Sequence, residues 1–277
     1  DREVGSPLVS TYHSFARQFV AEHGLRIGVE PGARLLSDTE TLQLAYRVVL
    51  NTSAPLRDMG VGAPALAEVV TKLDQQLAEH VATPTALRAH EIDLIERIDG
   101  LEKTVDADRK LRSTAARRLQ LCAVVEEFRN EKSAAGVVDF ADVLRFGHQL
   151  AAREDVQRIF HDRVKMVLLD EYQDTSVVQA ELLAPLVGPA GSVTAVGDPL
   201  QAIYGWRGAG ANAMADFARH LGPGDRAGVN LLPLSTSQRS GHNVLNVANA
   251  IAAPMRAAAA EVVVLRPGLD PEGNARR

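Results

Sequence analysis

Two short apolar runs with acidic ends constrain this chain most. Val164 to Leu169 leads into Asp170-Glu171, and Val193 to Val196 leads into Gly197-Asp198. Runs of this length, bounded by polar turns and separated by a helical stretch from Ser176 to Leu186, read as strands buried on both faces of a parallel sheet. The pattern predicts an α/β fold. Val229 to Leu234 is a third candidate strand, and Glu261 to Leu265 is placed to open another. Near the start, Leu8-Val9-Ser10-Thr11 reads as a short strand leaving at Tyr12-His13. Ser14 then stands where it could cap a helix carrying Phe15, Phe19 and Val20 on one face. Asn243 to Ile251 reads as helix, and the polar stretch from Gly268 to Arg277 as a loose tail.

Between these parts, from about residue 37 to 150, Ala, Leu, Arg and Glu recur with helical spacing, as in Leu121, Val124, Val125 and Phe128. Breakers at Asn51 to Pro55, Gly60 to Pro64, Thr83-Pro84 and Asp99-Gly100 divide this block into several helices. The expectation is a sheet domain with a helical insertion, not two tandem domains. With 277 residues and 46% hydrophobic content the chain can bury a sizeable core. A net charge of −5 means that any nucleic-acid binding must come from a local basic surface. Arg109-Lys110-Leu111-Arg112 with Arg117-Arg118 is such a cluster, readable as a phosphate-tracking surface or simply as a solvated helix face.

The single cysteine, Cys122, excludes an intrachain disulfide and a multi-cysteine zinc site. It fits a reducing compartment, so a cytoplasmic location is expected. No apolar run approaches the ~20 residues of a membrane span, and no membrane association is expected. Aromatic residues make up only 4%. Tyr12, Tyr172, Tyr204 and Trp206 nevertheless fall in polar or glycine-containing stretches, an unusual placement for core filler.

In an open parallel sheet, ligands sit beyond the carboxyl ends of the strands. Paired carboxylates there can divide two tasks, one holding Mg²⁺ and the other orienting or deprotonating a water molecule. The plainer alternative is that Asp170 caps the following turn and Glu171 is a solvated surface acid. The continuation is more specific. Leu168 to Thr175 reads LLDEYQDT, and Val196 to Ala209 reads VGDPLQAIYGWRGA. These stretches resemble motifs II and III of the superfamily 1A DNA helicases related to UvrD, PcrA, Rep and RecB. Ser10 to Phe15 is similar to motif Ib of that family, and Leu234 to Ser240, ending in Gln238-Arg239-Ser240, to motif IV. Val138 to Leu144 resembles the short acidic segment these helicases carry upstream of motif II.

The resemblance implies a RecA-like P-loop NTPase sheet, partly present, with an all-helical inserted subdomain. Residues 1–36 and 151–240 would be the two parts of motor domain 1A. Residues 37–150 would be a 1B-like insertion, and 241–277 the start of domain 2A or a linker. It implies ATP and Mg²⁺ as cofactors, and single-stranded and duplex DNA as partners. Asp170 would hold the Mg²⁺ and Glu171 would activate the hydrolytic water. Gln201 would sense the γ-phosphate, and Arg239 would reach it and stabilise transition-state charge. Tyr204 and Trp206 would stack on single-stranded DNA bases, and Thr11 and His13 would lie near the DNA backbone. Taken singly, such an arginine is usually surface and such a tryptophan usually core. The 3′-to-5′ polarity and a role in DNA repair or recombination also come from the resemblance alone.

Three departures qualify it. The chain contains no Gly-x-x-x-x-Gly-Lys-Ser/Thr loop, so it reads as an internal fragment, expected to lack appreciable ATPase activity and to be poorly soluble alone. Gln238 stands where most relatives have tyrosine, and Pro199-Leu200 where many have an acidic pair. The Gly-Asp-Pro form of motif III and the Ser-Thr-Ser-x-Arg form of motif IV are most similar to the UvrD-like subunit of AdnAB-type helicase–nucleases of actinobacteria. That likeness implies a second helicase–nuclease subunit as partner. Two other readings remain open from sequence: a non-catalytic DNA-binding or assembly subunit, and a two-metal nuclease using Asp170, Glu171, Asp174 and Asp198.

Overall fold

The computed structural model describes residues 7–187, 191–205, 213–221, 229–256 and 262–268. The chain divides into two compact units, Asp1–Ile159 with Val177–Pro185, and Phe160–Ser176 with Leu186–Arg277.

The first unit is helical. Its elements are α1 (Tyr12–His23), β1 (Arg34–Leu35), α2 (Asp38–Asn51), α3 (Ala63–Glu79), α4 (Pro84–Asp99), α5 (Asp106–Ala134), β2 (Val137–Val138), α6 (Phe140–Ala151), the start of α7 (Glu154–Arg163), and α8 (Val177–Leu183). The breakers mark the boundaries as the sequence predicts. α2 ends at Asn51, Thr83 caps α4 by accepting from the Ala86 N–H at 3.0 Å, and α4 stops at Asp99. Ser37 and Glu40 form a reciprocal capping box at the start of α2. Leu121, Val124, Val125 and Phe128 are all buried, packing with Leu44, Val48, Leu66 and Val70 of α2 and α3. α5 is longer than the breakers alone suggest, at 29 residues. Much of the basic cluster it carries is engaged internally: Arg109 with Asp106, Arg112 with Asp99, and Arg118 with the buried Glu91.

The strand expected at Leu8 to Thr11 does not form. Leu8 and Val9 are 66% and 89% exposed, and Thr11, not Ser14, caps α1 by accepting from the Ser14 N–H at 3.2 Å. A strand exists through its ladder, and among the described residues no strand pairs with this segment. The chain therefore passes straight into the helix.

The second unit holds β3 (Met166–Leu169), β4 (Ser192–Ala195), α9 (Ala213–Leu221), β5 (Thr236–Ser237), α10 (His242–Arg256) and β6 (Arg266–Pro267). β3 and β4 pair in parallel, Met166 opposite Ser192 through Leu169 opposite Ala195. Burial on both faces is not found. Leu169 is buried, whereas Met166 and Leu168, which share the opposite face, are 63% and 71% exposed. An apolar run states what a strand can bury; the neighbours decide how much of it is covered. Among the described residues, every sheet has two strands. The strand expected at Val229 to Leu234 is absent, with Leu231, Leu232 and Leu234 exposed. In this part of the chain β5 and β6 pair in parallel instead, Thr236 opposite Arg266 and Ser237 opposite Pro267. β6 starts at Arg266, after the expected Glu261 to Leu265 run, of which Glu261 lies outside the described residues. Residues 269–277 of the expected tail also lie outside them. No helix among the described residues is long and apolar enough to cross a membrane.

The first unit is centred on a buried charge cluster. Lys132 of α5 is 1% exposed, and its Nζ lies 2.9 Å from Asp74 of α3, 2.6 Å from Asp139 and 2.8 Å from Asp142 of α6. Arg129 pairs with Asp74 at 2.6 Å and Arg145 with Asp142 at 2.6 Å, so three cations face three carboxylates. Asp139 and Asp142 also cap α6 reciprocally, each accepting from the other's backbone N–H. Burial lowers the basicity of Lys132, but Asp142, Asp74 and Asp139 outweigh it and hold the ammonium above its ordinary pKa. Burial, then the neighbouring Asp142, pushes the Asp139 carboxyl up to about 6. Asp142 is held below its ordinary value because Lys132 and Arg145 outweigh the cost of burial.

Lys132→Met is expected to destabilise the helical unit by about 3–5 kcal/mol, since it leaves the buried Asp139 without a cation and removes one of the two that serve each of Asp74 and Asp142; urea unfolding followed by far-UV circular dichroism measures it. Because Asp139 titrates higher in the folded chain than in the unfolded one, the folded chain holds an extra proton between 3.8 and about 6. The contribution of Asp139 to stability therefore falls as pH rises across that window. Asp139→Asn is expected to remove that fall, leaving a flatter stability profile from pH ~4 to ~6 than the parent shows.

Candidate functional site

The carboxyl ends of β3 and β4 lie side by side, because the two strands are parallel and in register up to Leu169 and Ala195. The backbone pairing continues one step, with the Val196 N–H donating to the Leu169 carbonyl at 2.8 Å. Tyr172 then donates its N–H to the Val196 carbonyl at 2.9 Å, which locks the turn after β3 onto the end of β4. Between these bonds sits Glu171, a non-glycine residue at φ +50°. The left-handed conformation costs about 1–2 kcal/mol, and such strain persists only where the surroundings impose it. Here the imposing groups are Tyr172 above and the 3₁₀ turn Tyr172–Asp174, closed by the Asp174 N–H on the Glu171 carbonyl at 2.9 Å.

The kinked backbone gives the adjacent carboxylates different partners. Asp170 is exposed and accepts from the N–H of the next residue, Glu171, at 3.0 Å through Oδ1; the turn that follows has no side-chain cap. Glu171, also exposed, accepts at Oε2 from the Gln173 Nε2 at 2.7 Å. Gln173 is 2% exposed, and its Oε1 accepts from the Asp198 N–H at 3.0 Å. Asp198 in turn accepts from the Leu200 N–H at 2.9 Å and from the Gln201 Nε2 at 2.9 Å. Glu171, Gln173, Asp198 and Gln201 thus form one hydrogen-bonded series across the two strand ends. Gly197 makes the approach possible: a Cβ there would stand 2.7 Å from the Gln173 Oε1 and 2.7 Å from the Met214 Sδ.

The structure therefore links Glu171 to Gln201 through Gln173 and Asp198, with Asp170 next to Glu171 in the chain. Arg239 follows β5 and is exposed; among the described residues no hydrogen bond joins it to the series. Tyr204 is exposed, three residues after Gln201, while Trp206 lies outside the described residues. Thr11 and His13 are in the other unit: Thr11 caps α1, and the His13 ring meets the Phe140 ring edge-on at 5.7 Å. Tyr172, whose polar context suggested a non-core role, is 1% exposed and packs edge-on against Phe217 at 5.4 Å. Sequence reasoning passed over Gln173. The only signal for it is a polar residue two places after a strand-end acid, which does not separate a buried amide from a surface one.

As an exposed, acceptor-only carboxylate at a strand end, Asp170 is a donor type that suits a hard divalent cation. Among the described residues, the three acids close enough together to share an ion are Asp74, Asp139 and Asp142, and the Lys132 ammonium already lies among them. Asp170, Glu171, Asp174 and Asp198 do not converge in that way, which disfavours the two-metal nuclease reading.

The model of the UvrD/REP helicase N-terminal domain matches residues 2–222. DNA helicase II of Escherichia coli is 34% identical over 129 residues, covering 46% of this chain and 17% of that protein. A probable DNA helicase II homolog of Rickettsia conorii is 28% identical over 253 residues, covering 87% of this chain and 32% of its own length. The ATP-dependent DNA helicase Rep of Escherichia coli is 26% identical over 254 residues, covering 91% of this chain and 32% of that protein. The chain thus spans about a third or less of the length of these relatives.

Proposed function

The chain belongs to the UvrD/REP helicase N-terminal domain family, and on that premise we propose that it is part of the motor of an ATP-dependent 3′-to-5′ DNA helicase. In this reading ATP hydrolysis drives movement along single-stranded DNA during repair or recombination in the cytoplasm. Residues 1–36 and 151–240 belong to motor domain 1A, residues 37–150 form the 1B-like insertion, and residues 241–277 begin domain 2A or a linker. A second helicase–nuclease subunit is the partner that the AdnAB-like features suggest.

The observation that carries this reading is the hydrogen-bonded series at the paired strand ends, which holds Glu171 and Gln201 in one frame. A structural surface acid would need no such support. Asp170 is the residue that would hold Mg²⁺; the ion, when bound, supplies charge neutralisation on the phosphates. Glu171 takes a proton from the attacking water, its carboxylate oriented by the Gln173 amide. Gln201, anchored on Asp198, presents its remaining amide hydrogen-bonding capacity to a phosphate oxygen or to the water. Arg239 supplies positive charge for the transferring phosphoryl group. Tyr204 and Trp206 offer aromatic faces to bases, and Thr11 and His13 contact the DNA backbone.

In the full-length protein, Glu171→Gln is expected to lower the kcat of DNA-stimulated ATP hydrolysis by at least about 100-fold with little change in KM. Phosphate release that survives the substitution would overturn the reading. Tyr204→Ala is expected to weaken binding of oligo-dT by about 1–3 kcal/mol, irrespective of base sequence, measured by fluorescence anisotropy at fixed salt.

A further inference from the structure

We propose that Gln173 is a positioning residue for Glu171: a buried amide that fixes which oxygen of that carboxylate faces the reacting water. The inference rests on the reading of Glu171 as the base for hydrolysis, and it adds a residue to that chemistry.

The orientation of the amide is decided by its partners. The Asp198 backbone N–H can only donate, so the Gln173 atom 3.0 Å from it must be the carbonyl oxygen. The amino group is thereby forced toward Glu171, whose Oε2 lies 2.7 Å away. A flipped amide would lose both bonds at once. Because Gln173 is 2% exposed, water cannot substitute for either partner, and both bonds are stronger than they would be in solvent. The bond engages Oε2 of Glu171, leaving Oε1 as the acceptor for a proton from water.

A second observation points the same way. Gly197 precedes Asp198, and a Cβ at that position would stand 2.7 Å from the Gln173 Oε1 and 3.2 Å from the Gln173 backbone nitrogen. The amide reaches the Asp198 N–H only because position 197 has no side chain. The glycine at the end of β4 and the amide after β3 are thus one fitted pair. Through it the end of one strand sets the orientation of the carboxylate on the other.

The test uses the full-length protein and reads steady-state ATP hydrolysis with single-stranded DNA present, as kcat and KM. Gln173→Met keeps the length of the side chain and removes both polar partners. It is expected to lower kcat by about 10- to 100-fold and to change KM for ATP by less than about 3-fold. Gln173→Glu retains an acceptor for the Asp198 N–H and so preserves the anchor, but it offers Glu171 no amide donor. It is expected to lower kcat about as far as Gln173→Met does, where a purely structural link would leave kcat near that of the parent. Gly197→Ala, with Gln173 chemically intact, is expected to lower kcat with the same small change in KM.

If Gln173→Met does not fold, Gln173→Glu alone decides the matter. A kcat within about 3-fold of the parent's in folded Gln173→Glu would overturn the proposal and leave Gln173 as a structural link between strands, even if the melting temperature fell. If the parent protein is active but Glu171→Gln is equally active, the reading of Glu171 fails, and the positioning role fails with it. Activity that depends on Glu171 but not on Gln173 overturns the positioning role alone.

Discussion

An ammonium group enclosed by protein must find its counter-charges inside the protein, and Lys132 finds three, at Asp74, Asp139 and Asp142. Apolar contacts between helices are weakly directional and tolerate sliding and repacking. A buried ion cluster does not, because any shift that parts one partner leaves an uncompensated charge. Asp74 therefore sets α3 against α5, and Asp139 with Asp142 sets the first turn of α6. From that start α6 runs past α1 and α8, close enough that a Cβ on Gly147 would collide with Leu182 and touch Ala16 at 3.5 Å. The apolar cluster of α2, α3 and α5 supplies bulk burial in the same unit; the ion cluster selects the register.

The second unit uses the same logic with a neutral amide at its centre. Gln173 is buried and must satisfy both ends of its amide, and it does so with the Glu171 carboxylate and the Asp198 N–H. One amide thereby ties a turn after β3 to a turn after β4. The strain of a left-handed Glu171 is held by the backbone bonds of Tyr172 and Asp174, which follow it. Two carboxylates that are neighbours in sequence consequently stand in different surroundings, one with only a local backbone contact and the other braced by a buried amide. That asymmetry is the physical content behind the separate roles proposed for Asp170 and Glu171.

Local features were legible in the sequence. Thr83-Pro84, Asp99-Gly100 and Asn51 to Pro55 mark helix ends because capping and backbone restriction act within a few residues. The spacing of Leu121, Val124, Val125 and Phe128 identified a buried face because the helical period is intrinsic. The parallel pairing of β3 and β4 followed from two apolar runs joined by a helix. What misled were segments whose fate depends on a neighbour. Leu8 to Thr11 and Val229 to Leu234 have strand-like composition, yet no strand among the described residues pairs with them. Tyr172 sits in a polar stretch but is buried, because the turn that carries it folds under against Phe217.

The sequence by itself determined the helix boundaries of the first unit, the parallel pairing of β3 with β4 and the family, since these are carried by period, punctuation and motif. Only the tertiary structure decided that Lys132 sits among three aspartates, that Gln173 is buried between Glu171 and Asp198, and that Gly197 must be bare for it to reach. The reason is that a buried polar group is defined by its partners. Those of Lys132 include Asp74, 58 positions away, and those of Gln173 include Asp198, 25 positions away. No local pattern in a chain records which distant group will complete a hydrogen bond.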